Sequence, residues 1–276
     1  MNSIIRKTFY SLPVSLRYSL RRIIYLPEDL LKKRNPLIPP KGMIFIGAGD
    51  YLKIGEQFFA YFQKYGNFTP DSSILDIGCG IGRMAIPFTG YLSSKGRYEG
   101  FDIVKMGIDW CTKNISSRYP NFNFRLIPLK NDLYRLDTKE KAADLKFPYE
   151  NDSFDFVFLT SVFTHMLPED LENYLEEIQR VLKKNQDCFA TFFIIDDTED
   201  SSQNTIARKK FLYNFGNYYL MDKNVKEANV AYQKKYIMDT LKKYNFEVSH
   251  FIKGNWSGAS ETELNEHQDI IIIKKL

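Results

Sequence analysis

The chain has 276 residues, a formal net charge of +4, 44% hydrophobic residues and 15% aromatic residues. That suits one large domain, with or without an arm, and supplies a substantial core. The three cysteines, Cys79, Cys111 and Cys188, form neither a disulfide framework nor a metal-ligand spacing. No apolar run reaches the ~18–20 residues that span a bilayer, and no secretory core is evident, so a reducing cytoplasm is the expected compartment.

Charge is unevenly placed. Residues 1–34 hold eight basic residues against Glu28 and Asp29, which leaves the rest of the chain slightly acidic. Only this arm is basic, so the body is not expected to bind nucleic acid. Within it, Leu16 to Leu26 reads as a basic amphipathic helix. Such a helix packs on the body or a twin subunit, or makes peripheral contact with the inner face of an anionic membrane. Pro36, Pro39 and Pro40 then break the chain. The expected organisation is an arm over 1–40 and a second unit over 41–276.

Met43 to Asp50 resembles a strand and turn or is irregular, and Ile54 to Tyr65 reads as a helix with Phe58, Phe59 and Phe62 inward. A doubly wound α/β pattern follows. Strands are expected at Ser73–Ile77, Tyr98–Ile103, Asn123–Pro128, Phe154–Thr160 and Cys188–Ile195. The helices between them are expected at Arg83–Leu92, Met106–Arg118 and Pro168–Leu182, with a long charged linker over Lys130–Pro148. After the fifth strand, an insert over about 196–230 carries Phe211, Tyr213, Phe215, Tyr218 and Tyr219. It exceeds a simple connection of ~2–6 residues and reads as a substrate cap. A helix from Tyr232 to Tyr244 and strands at Phe246–Ile252 and Asp269–Lys274 close the chain.

The most informative stretch is Ile74-Leu75-Asp76-Ile77-Gly78-Cys79-Gly80-Ile81-Gly82-Arg83. An apolar strand enters a turn of alternating glycines, where the backbone can meet a ligand closely. The dinucleotide fingerprint wants a third glycine where this chain has Arg83. Asp76 before the turn suits an ammonium group better than a pyrophosphate. Asp102 lies 26 residues after Asp76, near the spacing at which an acid meets ribose hydroxyls.

LDIGCGIGR, the strand ending in Asp102, FDFVFLTSVFTHM and the helix ending EIQRVLKK together resemble the class I S-adenosylmethionine-dependent methyltransferases, in their small-molecule and saccharide branch. The resemblance spans roughly residues 50–276. It implies a Rossmann-like, mostly parallel seven-stranded sheet with an antiparallel edge, and S-adenosyl-L-methionine as cofactor. Asn255-Trp256-Ser257-Gly258 and the last strand fit the same branch. Many relatives carry Lys-Pro-Gly-Gly where this chain has Lys183-Lys184-Asn185-Gln186, which changes a loop.

The resemblance assigns roles. Asp76 engages the amino end of the cofactor, and Gly78, Cys79, Gly80 and Gly82 line the approach of its methionine part. Asp102 binds the ribose and Ile103 packs on adenine. Asn131 or Asp132 reaches the adenine amino group, with Asp144 a rival. Thr160 adds a contact, Tyr51 and Gly55 either touch the cofactor or pack in the core, and Arg83 only solvates a helix start. For a hydroxyl acceptor, His165 after the fourth strand is the leading general base, or it orders its loop. Asp196 is the rival base or a hydroxyl anchor. His267 lines the pocket or packs, and His250 is structural.

The chain has Thr160-Ser161-Val162-Phe163 where amino-methyltransferases carry Asn/Asp-Pro-Pro-Tyr/Phe. The expectation is methylation of a hydroxyl on a saccharide or other small molecule. The alternatives are a protein or RNA acceptor, or a non-catalytic cofactor-binding module working through its arm.

Overall fold

The computed structural model describes residues 14–31, 35–47, 49–131, 138, 140–196, 210–223, 225–258, 262–264 and 266–276. Among them, helix α1 is Val14–Leu31 and α2 is Tyr51–Tyr65. The alternating core is β1 Ser73–Ile77, α3 Ala85–Thr89, β2 Arg97–Asp102, α4 Lys105–Cys111, β3 Phe122–Leu126, β4 Phe154–Leu159, α5 Pro168–Val181 and β5 Leu182–Phe192. Short strands follow: β6 Ile194–Ile195, β7 Tyr213–Asn214, β8 Tyr218–Leu220 and β9 Val230–Gln233. Helix α6 is Lys234–Lys243, and β10 Phe246–Ile252 and β11 Asp269–Lys275 end the chain.

The seven-stranded sheet runs β10-β11-β5-β4-β1-β2-β3. β1 to β5 are mutually parallel. β11 pairs antiparallel with both β5 and β10, giving the expected antiparallel edge. The strands β1, β2 and β4 are almost entirely buried, because helices cover both faces of a parallel sheet.

Local chemistry sets several boundaries. Asp50 caps α2 by accepting from the Leu52 and Lys53 N–H groups at 3.0 Å each. Pro168 opens α5, where its missing N–H costs nothing. α2 then lays Phe62 on the sheet, fully buried and 4.4 Å from the Phe158 ring. The Phe88 ring lies parallel to Phe158 at 5.9 Å and 6.2 Å from Phe62, so the three rings form one cluster.

Several expectations need correction. Residues 44–47 are irregular and Lys41–Met43 is a 3-10 turn, so no strand forms there. The helix expected over Arg83–Leu92 shrinks to Ala85–Thr89 because the glycine turn extends past Arg83. That expected over Met106–Arg118 is α only to Cys111 and then widens into a π turn, Thr112–Ser116. Lys183 to Gln186 lies inside β5, where Asn185 takes φ +62° and the register with β4 shifts. The cap region builds a second sheet, β6-β9-β8-β7. Val230–Gln233 is therefore a strand, and the helix begins at Lys234. The arm helix runs beyond Leu26, through Pro27, to Leu31.

Among the described residues no helix is long and apolar enough to cross a membrane. Removing the Phe62 ring leaves a cavity among five aromatic neighbours, Phe58, Phe88, Phe156, Phe158 and Phe189. Phe62→Ala is expected to destabilise the protein by about 3–5 kcal/mol, read as a lower denaturant midpoint with an unchanged slope. A loss under about 1 kcal/mol would contradict this packing.

Candidate functional site

A cavity of about 510 Å³ opens over the carboxyl ends of β1, β2 and β4, the ligand edge of a doubly wound sheet. Its floor is the glycine turn. The Gly78 and Cys79 N–H groups donate to the Phe101 carbonyl at 2.9 and 3.0 Å, tying the turn to the end of β2. Gly80 takes φ +59°. Its carbonyl seats against Gly107 of α4, where a Cβ would lie 2.1 Å from the Gly80 oxygen. No other residue type fits at 107 with the turn in this place.

Two carboxylates lie at the back of the cavity. Asp102 is 9% exposed and accepts from the Gly80 N–H at 2.8 Å through Oδ2 and from the Val104 N–H at 2.7 Å through Oδ1. Burial still outweighs these donors and lifts its carboxyl to about 6. Asp76 is 1% exposed. The Tyr98 hydroxyl donates to its Oδ2 at 2.5 Å. Burial pushes its carboxyl to about 8, with Asp102 adding repulsion. No described cation pairs with Asp76. Two acidic groups kept from water without a basic partner form a site that gains most from a cationic, hydroxyl-bearing ligand. The donor set fits S-adenosyl-L-methionine, with its ammonium group and ribose, and fits a pyrophosphate poorly.

The cavity lining brings together Asp76, Gly78, Cys79, Gly80, Asp102, Ile103, Asn131, Thr160 and His165. Three expected contacts lie elsewhere. Gly82 faces α4, where a Cβ would meet Cys111 Sγ at 2.8 Å, so it packs the turn. The Tyr51 hydroxyl donates to the Ile81 carbonyl at 2.7 Å, supporting the turn from behind. Asp196 does not line the cavity. Lys253 binds it and Lys234 lies 3.4 Å away. These lysines hold its carboxyl below the ordinary range, so it is a salt-bridge partner and a poor base. Asp132 lies outside the described residues. Asp144 is not in the lining. His267 packs on Phe193 at 5.9 Å, and His250 meets the Tyr65 ring at 5.1 Å.

Other lining residues gave no local signal in the sequence. Phe45, Ile46 and Gly47 come from the irregular stretch ahead of α2. Arg83 holds them: its guanidinium donates to the Ile46 and Gly47 carbonyls at 3.1 Å each. Arg83 is 7% exposed, so it is a buried strut where a solvated residue was expected. Ser161 takes φ +59° just past β4. The Thr191 hydroxyl accepts from its N–H at 2.7 Å, and its own hydroxyl donates to Gln268 Oε1 at 3.0 Å. Backbone in this sparsely populated region is characteristic of functional sites. Glu227 and Asn229 reach the lining from the segment between β8 and β9, more than 60 residues beyond His165. The Glu227 carbonyl lies 2.7 Å from His165 Nδ1. A carbonyl only accepts, so Nδ1 carries the proton and Nε2 is the lone-pair nitrogen of the neutral ring.

The Asp76 environment has a measurable consequence. Between the ordinary value of 3.8 and about 8, the folded chain keeps a proton that the unfolded chain has released. Stability therefore falls as pH rises through that window. Asp76→Asn is expected to remove this fall, gaining on the order of 1–3 kcal/mol relative to wild type at the upper end. Urea midpoints at both ends of the window check it, and parallel pH profiles for the two proteins would contradict it.

Residues 75–190 match the family model described as a methyltransferase domain. Several solved structures share the fold. A SAM-dependent methyltransferase from Methanosarcina mazei is 22% identical, with a TM-score of 0.51 over 78% of this chain and 97% of that one. A geranyl diphosphate methyltransferase in complex with SAM is 10% identical, with a TM-score of 0.57 over 80% and 85%. A cyclase is 13% identical, with a TM-score of 0.54 over 83% and 84%. At these identities the structures show the fold alone; the family match adds the domain. The match gives residues 75–190 a methyltransferase domain, on the fold that these solved structures share.

Proposed function

We propose that this enzyme transfers the methyl group to a hydroxyl of a saccharide or other small molecule, with His165 as general base. The observation that carries the reading is the His165 Nδ1 contact with the Glu227 carbonyl. It supports a tautomer with the proton on Nδ1, and so a role for Nε2 as proton acceptor, on a residue that lines the cavity. Ser161, Glu227, Asn229 and Gln268 surround the same end. Such a set of short polar groups suits a hydroxylated acceptor, which both donates and accepts.

S-adenosyl-L-methionine, when bound, supplies a methyl group on an already activated sulfonium. The protein's work is then to hold, align and dry the reacting pair. In this reading Asp76 takes the ammonium group, the Gly78–Gly80 backbone allows the methionine part close, and the remaining lone pairs of Asp102 accept from the ribose. Ile103 packs on adenine and Asn131 bonds its amino group. Phe45, Ile46 and Gly47, held by Arg83, form the wall that keeps water out. His165 removes the acceptor proton as the new O–C bond forms.

Two experiments separate cofactor holding from catalysis. Asp102→Asn is expected to weaken calorimetric binding of S-adenosyl-L-methionine about 10- to 100-fold, through the loss of charge-assisted hydrogen bonds. Unchanged affinity would remove Asp102 from the ribose role. His165→Ala is expected to lower kcat by about 100- to 10,000-fold with cofactor affinity retained, in a labelled-methyl assay over sugar and small hydroxylated acceptors. Near-normal turnover with bound cofactor would exclude His165 as the base.

A further inference from the structure

We propose that the arm helix α1 docks this protein on an anionic membrane surface, with its apolar face toward the lipid. The ground is which side of the helix meets the body. An amphipathic helix ordinarily turns its apolar stripe to the core and its charges to water. Here the arrangement is reversed. Asp29 accepts from the Lys41 N–H at 2.8 Å and the Gly42 N–H at 3.3 Å. Glu28 pairs with Lys41 Nζ at 2.9 Å, and that ammonium lies 4.8 Å from the Tyr25 ring centre. The helix backbone sits tightly on Gly42, where a Cβ would come within 2.7 Å of Arg22 Cα. The polar side is thus consumed by the body.

The opposite side carries Leu16, Ile23, Ile24, Pro27, Leu30 and Leu31, which recur at three- and four-residue spacings and so share one face. Exposure is 66% at Ile23, 67% at Ile24, 75% at Leu30 and 84% at Leu31. Isolated exposed apolar residues are ordinary, but a contiguous stripe of this kind marks a contact surface.

Charge selects the occupant. Both acids of the arm are engaged by Lys41 and Gly42, while the first 34 residues contain eight basic ones. Beside the helix, Arg22, Lys105 and Lys113 share an open groove of about 790 Å³. The one carboxylate in its lining, Asp109, is paired with Lys105 at 2.7 Å. A basic flank of Arg22, Lys105 and Lys113 beside an apolar stripe matches acyl chains beneath anionic headgroups. It matches a second copy of the same basic arm poorly. Pro27 adds a further argument: it lies on the stripe and removes the helical N–H donor for the Ile23 carbonyl. A dry helix–helix seam would bury that carbonyl, whereas the headgroup region hydrates it.

The test is co-sedimentation of the full chain with vesicles of phosphatidylcholine alone or mixed with phosphatidylglycerol. The wild type is expected to sediment with the mixed vesicles, weakly with the neutral ones, and less as salt rises. Ile23→Glu with Leu30→Glu is expected to lower binding to mixed vesicles about tenfold or more, with an unchanged thermal midpoint showing that the body remains folded. A wild type that stays in solution with both vesicles overturns the proposal, as does a double variant that sediments equally well. A light-scattering mass of two chains that falls to one in the double variant also overturns it, because a second copy then covers the stripe.

Discussion

The Asp102 carboxylate joins the two turns on which the site is built. One oxygen takes the Gly80 N–H after β1, and the other takes the Val104 N–H at the start of α4. The ends of two neighbouring strands are thereby held at hydrogen-bond distance, and the cavity floor between them has a fixed shape. Asp102 still has lone pairs beyond those two bonds. The same constraint presses α4 on the glycine turn, which is why Gly107 faces Gly80. Phe62 and Phe88 pack on Phe158 of β4, the strand beside β1.

The cost of this arrangement is electrostatic. Asp76 and Asp102 both sit in low dielectric, and burial raises both. Without a ligand the site resists being doubly ionised. A bound cation would relieve that resistance. Other groups of the cavity lining stand on the loop after β4 and the segment before β9. Those groups come from distant parts of the chain. The cyclase among the structural neighbours makes the related point that the fold alone does not name the reaction.

Much of the frame was legible because buried strands announce themselves. Ser73–Ile77 and Phe246–Ile252 begin and end where their apolar runs and flanking turns predict. The glycine turn and the spacing from Asp76 to Asp102 pointed to the ligand edge. What stayed hidden depends on contacts between distant segments. Arg83 looks like a surface residue at a helix start, and only the fold of residues 44–47 over it makes it a strut. Tyr51 and Gly82 belong near the turn, but the fold puts them behind it. Asp196 ends up between two lysines, one of them 57 positions away. Glu227 and Asn229 have no local signature at all. The arm read correctly as amphipathic, yet sequence could not say which face the body would take.

The central claim is that a protonated Asp76 is waiting for a cationic ligand. Calorimetric titration of S-adenosyl-L-methionine at neutral pH, repeated in buffers of different ionisation enthalpy, measures it directly. If Asp76 holds its proton up to about 8 and meets an ammonium group on binding, complex formation releases up to about one proton. Asp76→Asn then loses that release. Binding with no buffer dependence in the wild type, or with equal release in the variant, would contradict the account.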